Sequence, residues 1–294
     1  MRDQNPRLGV MLMVLTMFIF AMQDGISRHL AAQYNVFMVI MIRYWFFAGF
    51  VVVWSSLRAG GLRQAARTTQ PVVQFLRGAL LALEVVVMVI GFVRLGLVES
   101  HAMFATYPLI ITALSGPVLG ERVGWRRWLL VGVGFVGVLI ILQPGAGVLS
   151  PDAIFPLASA GMFALYGLLN RYVARRDPAT VTFFYTGIAG ALVMTVIGIW
   201  FWEPMTATDW AWMLLLCATA ITGHYLLIRA YELSEASAIQ PFAYLQLTFA
   251  AILGVVVFGD IVRPNVAVGT ALVVAAGIFA ILRTARTTSR TKAR

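Results

Sequence analysis

The chain of 294 residues is 61% hydrophobic and only 12% charged, with a mean hydropathy of +0.87. An ordinary soluble domain carries about a quarter charged residues, so this composition cannot coat a water-soluble particle of that size. The formal charge of +10 does not point to nucleic acid: the basic residues stand singly or in pairs in short gaps between apolar runs, where they orient spans and meet anionic lipid.

Apolar runs of about twenty residues recur from end to end, each able to cross a hydrocarbon core about 30 Å thick. They are continuous rather than alternating, which predicts helices and not barrel strands. Ten spans are expected, at 8–30, 36–57, 71–94, 100–119, 127–143, 152–172, 180–201, 209–230, 236–258 and 265–283. The longest connection, 58–70, has no room for a soluble domain.

Span one starts after Arg7 and runs past Phe20 into Asp24, Ser27 and Arg28, too long for a signal-peptide core, so it reads as a retained span. Its polar end (Gln23, Asp24, Ser27, Arg28, His29) reads as interfacial, and a structural tie from Asp24 to Arg43 of span two is expected. Span three carries Arg77 and, within LLALEVVVMVIGF, Glu84. A charge at mid-bilayer costs at least ~2.5–3.5 kcal/mol, so such a residue faces a cavity or a partner. Glu84 is read as a cavity acid that binds an ammonium group or takes up a proton, against the plainer reading of a buried acid needed only for folding. Span four has His101 at its outer end and Tyr107 within it. Span five has Gly132, Gly134 and Gly137, and span seven Gly187, Gly190 and Gly198, small residues suited to close helix packing. Asn170 lies near the inner end of span six. Span eight holds Cys217, the single cysteine, which rules out an intrachain disulfide and a thiolate metal cluster, and His224. Span nine holds Tyr244 and Gln246. Trp54, Trp200, Trp202, Trp210 and Trp212 lie near span ends and read as interface anchors.

Orientation follows from the basic residues. Seventeen of the 22 fall on the side that holds both termini and three (Arg28, Arg94, Arg263) on the other, with Arg43 and Arg77 inside spans. The positive-inside rule then predicts cytoplasmic termini in a bacterial inner membrane.

An internal repeat is also visible. Span four ends GPVLGER (Gly116–Arg122) and span nine ends GVVVFGD (Gly254–Asp260), which superimposes Gly120-Glu121 on Gly259-Asp260 at an offset of 139. Spans five and ten share a Gly137/Gly277 segment at an offset of 140. Two five-helix halves, 1–145 and 146–294, are expected, and an odd helix number inverts the second. Glu84 and His224, 140 apart, then become symmetry mates facing one cavity.

Two five-helix halves, each with a fourth helix ending in a Gly-acid pair and a Gly-containing fifth helix, resemble the drug/metabolite transporter superfamily and its EamA-type bacterial exporters. Pro108, thirteen residues before Glu121, matches the family's mid-helix proline, whereas the second half has Leu247 there and Asp260 as the acid. More narrowly, the chain is similar to exporters of aromatic amino acids. The resemblance implies an all-α polytopic protein with ten transmembrane helices as two inverted five-helix repeats around a central cavity. Helices one, three, four, six, eight and nine would line it, with five and ten peripheral. It implies export of amino acids, drugs or other metabolites without cofactor or ATP.

The residues fit a neutral or zwitterionic solute, with Glu84, His101, Tyr107, His224, Tyr244 and Gln246 as the substrate-binding set and with membrane lipid and a proton as further partners. A phosphorylated solute would want several cavity cations, and only Arg43 and Arg77 qualify. A membrane transferase, the alternative of another class, would need an aspartate-rich, HExxH or glycine-rich phosphate motif, and the sequence has none.

Overall fold

The computed structural model describes residues 5–31, 33–58, 60–95, 97–121, 123–142 and 151–249, with a few isolated positions beyond. The far part of span nine, most of span ten, Gly259-Asp260 and the Gly277 segment lie outside the described residues, as do Arg122 and the basic tail. The described residues form helices α1 (Pro6–Ala31), α2 (Val36–Ser56), α3 (Gly61–Ala65), α4 (Pro71–Leu95), α5 (Leu97–Phe104), α6 (Tyr107–Leu119), α7 (Trp125–Leu142), α8 (Ile154–Val173), α9 (Ala179–Gly198), α10 (Ala207–Leu233) and α11 (Ala236–Ile239). Six of them are long and apolar enough to cross a membrane: α1, α2, α4, α8, α9 and α10.

Helix starts follow local chemistry. Asn5 Oδ1 accepts from Leu8 N at 3.2 Å ahead of Pro6, Asn35 Oδ1 accepts from Phe37 N at 2.9 Å to open α2, and Thr206 Oγ1 accepts from Asp209 N at 3.2 Å to open α10. In each case a side chain satisfies a donor that the first helical turn leaves free. α6 ends at Gly120, whose φ of 67° would strain any residue with a Cβ.

The bundle buries two apolar clusters and, among them, a set of polar and charged residues. On α4 a buried stripe runs Gln74, Arg77, Leu81, Glu84 and Met88, continuing Gln70 just ahead of the helix and spaced alternately by three and four residues, while Val72, Phe75, Leu76 and Leu83 face out. Trp200, Trp202 and Trp212 are exposed, as anchors would be, and Arg58 lies 3.7 Å over the Trp54 ring. Trp210 differs, being half-buried against the apolar cluster of α2 and α9.

Helix pairing crosses between the chain's two parts. α1 packs on α10, α4 on α8, and α2 on α9. Each glycine of α9 noted above meets α2: a Cβ on Gly187 would approach Phe47 and Val51, one on Gly190 would fall 2.2 Å from Tyr44 Cε1, and one on Gly198 would meet Met41. Gly190→Ala is therefore expected to cost about 1–3 kcal/mol through overpacking. Gly132→Ala, where nothing lies within 4 Å, should be near neutral. Melting of the two variants in detergent checks the contrast.

Two expected spans are broken. Span four, read as one helix over 100–119, splits into α5 and α6 at Ala105–Thr106, just ahead of Tyr107-Pro108. Proline removes a backbone donor and disfavours helical geometry in the residue before it. Span nine, read as one run from 236, opens as the short α11, passes through a 3-10 turn at Gln240–Phe242 and a non-helical step at 243–244, and becomes helical again at 245–249. Its interruption is at Pro241 and not at Leu247, the position matching Pro108.

Candidate functional site

The two breaks face each other across a cleft. It is lined by Asp24 of α1, His101 and Phe104 of α5, Ala105, Tyr107 and Pro108 at the first break, and Ala243, Tyr244, Gln246 and Leu247 at the second. Gln246 Nε2 donates to Asp24 Oδ2 at 2.7 Å, and His101 Nε2 lies 3.7 Å from the same oxygen. Tyr107 O–H points at Met17 Sδ, 4.0 Å away, and the Tyr244 hydroxyl is buried without a hydrogen-bond partner among the described residues. Gly134 of α7 leaves room for the Tyr244 ring, since a Cβ there would fall 2.4 Å from it. One carboxylate, one imidazole and one carboxamide thus converge among aromatic walls. The free volume is about 30 Å³, room for a water but far below the roughly 300–1,000 Å³ of a pocket that holds a metabolite.

Four of the six expected site residues (His101, Tyr107, Tyr244, Gln246) line this cleft. Glu84 and His224 do not. Glu84 accepts from Ser159 Oγ of α8 at 2.5 Å, and His224 Nε2 lies 3.1 Å from Arg43 Nη2. The expected Asp24–Arg43 tie is not formed, because Asp24 is taken by Gln246 and His101 and Arg43 turns to α10. The imidazole of His224 sits between Phe20 and Phe47, with ring centroids at 5.1 and 6.3 Å.

Sequence reasoning treated three further groups lightly. Asp24 read as an interfacial end, although it anchors the cleft. Arg77 is buried and wholly bound to uncharged oxygens, including Asn170 Oδ1 at 3.0 Å, Thr182 O at 2.6 Å and Thr186 Oγ1 at 2.8 Å. Glu121, noted only as a mark of the repeat, reaches from the end of α6 to α11, where it accepts from Ala236 N, Ser237 N and Ser237 Oγ at 3.0–3.2 Å, and to Arg171 Nε of α8 at 3.2 Å. Nearby, Arg175 bonds Leu119 O, and Arg127 reaches Glu235 at 2.5 Å. These bonds tie α6, α7, α8 and α11 together beside the start of α1, where Ser234 Oγ lies 3.5 Å from Pro6 O. The Gly120-Glu121 pair was the visible mark of this contact in the sequence, and the structure makes Gly120 the left-handed end of α6.

No group of three or more metal-binding side chains is found among the described residues. A model of the EamA-like transporter family matches residues 7–143 and 152–283. The S-adenosylmethionine uptake transporter of Rickettsia prowazekii (strain Madrid E) is 23% identical, over 93% of this chain and 92% of its own. The riboflavin transporter of Rhizobium johnstonii is 30% identical, over 92% and 90%. A crystal structure 18% identical superimposes with a TM-score of 0.78 over 96% of this chain and 98% of the other, a likeness of fold. The family and these relatives are transporters, not enzymes. They do not support the narrower likeness to exporters of aromatic amino acids.

Proposed function

The chain belongs to the EamA-like transporter family, and on that premise we propose that it is a secondary carrier for a small zwitterionic or cationic solute with a planar ring. The observation that carries this reading is the cleft between two interrupted helices, where Asp24, His101 and Gln246 converge among Phe104, Tyr107 and Tyr244. Discontinuous helices that meet at a pseudo-symmetric interface are a recurring way to build a transport site, because backbone freed from a helix can serve a ligand. Asp24 suits a cationic head and the rings suit a flat body. Aromatic amino acids answer to this description. So does S-adenosylmethionine, a sulfonium amino acid bearing a purine.

In this reading the ten helices form two inverted halves, 1–145 and 146–294, with both termini in the cytoplasm. The crossed pairing of α1 with α10 and α4 with α8 supports it, as does the match of the family model over two successive segments. The closed cleft opens by rocking of the halves, and Glu84 is the candidate proton carrier. Net direction follows from the gradients, so export of amino acids is a matter of conditions as much as of fold.

The test is uptake into proteoliposomes of labelled S-adenosylmethionine, riboflavin, phenylalanine and tryptophan, with and without a pH gradient. Saturable uptake of at least one ring-bearing amino acid is expected. Asp24→Asn should lower it roughly tenfold or more, the loss of one charge-assisted contact. Glu84→Gln should keep the fold, since its carbonyl still accepts from Ser159, and should lose the response to the gradient. If normally melting protein moves none of S-adenosylmethionine, phenylalanine and tryptophan, this substrate class is wrong; an unchanged gradient response in Glu84→Gln makes that acid structural.

A further inference from the structure

Beyond the cleft, the centre of the bundle holds a group of hydrogen-bond donors that no acceptor among the described residues meets. Arg43 of α2 is 3% exposed, and no carboxylate among the described residues pairs with it. The two nearby acids bond elsewhere, Asp24 to Gln246 and Glu84 to Ser159. A guanidinium can only donate, so His224 Nε2 is the acceptor of the Arg43–His224 bond and the proton of the neutral ring sits on Nδ1. That Nδ1 is buried and without a partner among the described residues, and so are Arg43 Nε and the hydroxyls of Tyr44 and Tyr166. Tyr44 adjoins Arg43, whose guanidinium carbon is 5.8 Å from its ring centroid, and Tyr166 adjoins His224, with ring centroids 6.4 Å apart. Four buried donors around one unpaired cation are costly to leave unmade. Native interiors leave few such groups, and a site-bound acceptor is one reason to keep them.

A lane of rings joins this group to the cleft. Phe104 and Tyr107 of the cleft wall both pack on Phe163, at 5.4 and 4.9 Å between centroids. Phe163 packs on Tyr166 at 5.8 Å, and Tyr166 leads to His224. An acid, a run of aromatic faces and an unpaired guanidinium thus follow one another from Asp24 to Arg43. We infer that Arg43, His224, Tyr44 and Tyr166 form a second subsite that takes the carboxylate of the carried solute, with the lane of rings flanking its planar body. This rests on the transporter reading and deepens it, since it makes the solute a zwitterion with a carboxylate and not merely a cation or a neutral ring.

The experiment is binding, not transport, so that it can fail separately. Purified full-length protein in detergent is titrated with two matched pairs, S-adenosylmethionine against decarboxylated S-adenosylmethionine and tryptophan against tryptamine, and ligand-induced shifts in melting give Kd. At least one acid should bind roughly tenfold or more tighter than its decarboxylated mate. Arg43→Gln should abolish that preference while leaving the Kd of the amine unchanged. Tyr44→Phe and Tyr166→Phe, near-isosteric changes, should each weaken only the acid, by roughly two- to tenfold; they carry the test if Arg43→Gln fails to fold. Equal affinity within both pairs, or variants that weaken acid and amine alike, would overturn the subsite. Saturable uptake of riboflavin, which has no carboxylate, with neither acid bound would overturn it too, and would leave the transporter standing.

Discussion

Arg77→Ala is expected to lower stability by at least about 3–5 kcal/mol, among the largest losses of any single substitution in the chain. The reason is not an ion pair. The guanidinium is 0% exposed and meets only uncharged oxygens: Gln74 Oε1 at 3.3–3.4 Å, Asn170 Oδ1, Thr182 O and Thr186 Oγ1. It also lies 5.3 Å over the ring of Tyr166. These contacts reach from α4 to α8 and α9, so one side chain joins three helices. Truncation leaves a large cavity and several buried acceptors without a donor. Arg77→Lys should lose less, because an ammonium still supplies charge, but it cannot reproduce the planar fork that serves four acceptors at once. Arg77→Met fills the space without the donors and should fall between Lys and Ala. Melting in detergent, with expression level as a second readout, checks the order. Alanine equal to wild type would mean that these oxygens find other donors.

The two buried arginines show what a sequence can and cannot disclose here. Both sat inside predicted spans and looked alike, as candidate cavity cations. Arg77 could have been recognised as structural from its place on α4: Gln70, Gln74, Arg77, Leu81 and Glu84 share one face, so its donors have polar company on its own helix and on whatever crosses it. Arg43 has no polar neighbour at helical spacing, and its pairing with His224 joins residues 181 apart. No local pattern encodes that. The apolar runs were legible, because hydrophobic length reports burial directly, whereas the grouping of His101 and Tyr107 with Tyr244 and Gln246 came from the family resemblance, which places helices four and nine beside the cavity. The breaks in spans four and nine were legible only in part. Pro108 and Pro241 mark them, but a proline inside an apolar run fits a kink as well as a full interruption, and packing decides between them. The separation of Glu84 and His224 from the cleft was not legible at all, since it depends on side-chain partners (Ser159 and Arg43) drawn from other helices.

Glu121→Gln is expected to loosen the face that carries the amino terminus. Gly120, with its positive φ, ends α6, and Glu121 after it reaches α11 and α8, where its two oxygens receive two backbone amides, one hydroxyl and Arg171. Both partners of the Glu121–Arg171 pair are nearly buried, and Arg171 also donates to Tyr231 O and Glu232 O. Removing one partner of such a pair costs about 3–5 kcal/mol, mostly because the other charge is left buried and uncompensated. Glutamine keeps an acceptor for the amides, so it removes the charge while sparing most of the geometry. A bolt and a staple predict different things from that change. If the pair merely holds the fold, melting falls and nothing else moves. If it holds this face closed against an alternative open state, the lost free energy shifts the population, about tenfold for each 1.4 kcal/mol. Ser115, fully buried on α6 beneath the bolt, can report which. In a Ser115→Cys protein, with the native Cys217 buried and replaced by alanine, labelling by a water-soluble maleimide should rise roughly tenfold or more on adding Glu121→Gln. Unchanged labelling with a lowered melting temperature would assign Glu121 to the fold alone. Increased labelling would make its carboxylate the element whose release lets a solute leave the cleft toward the side that holds the amino terminus.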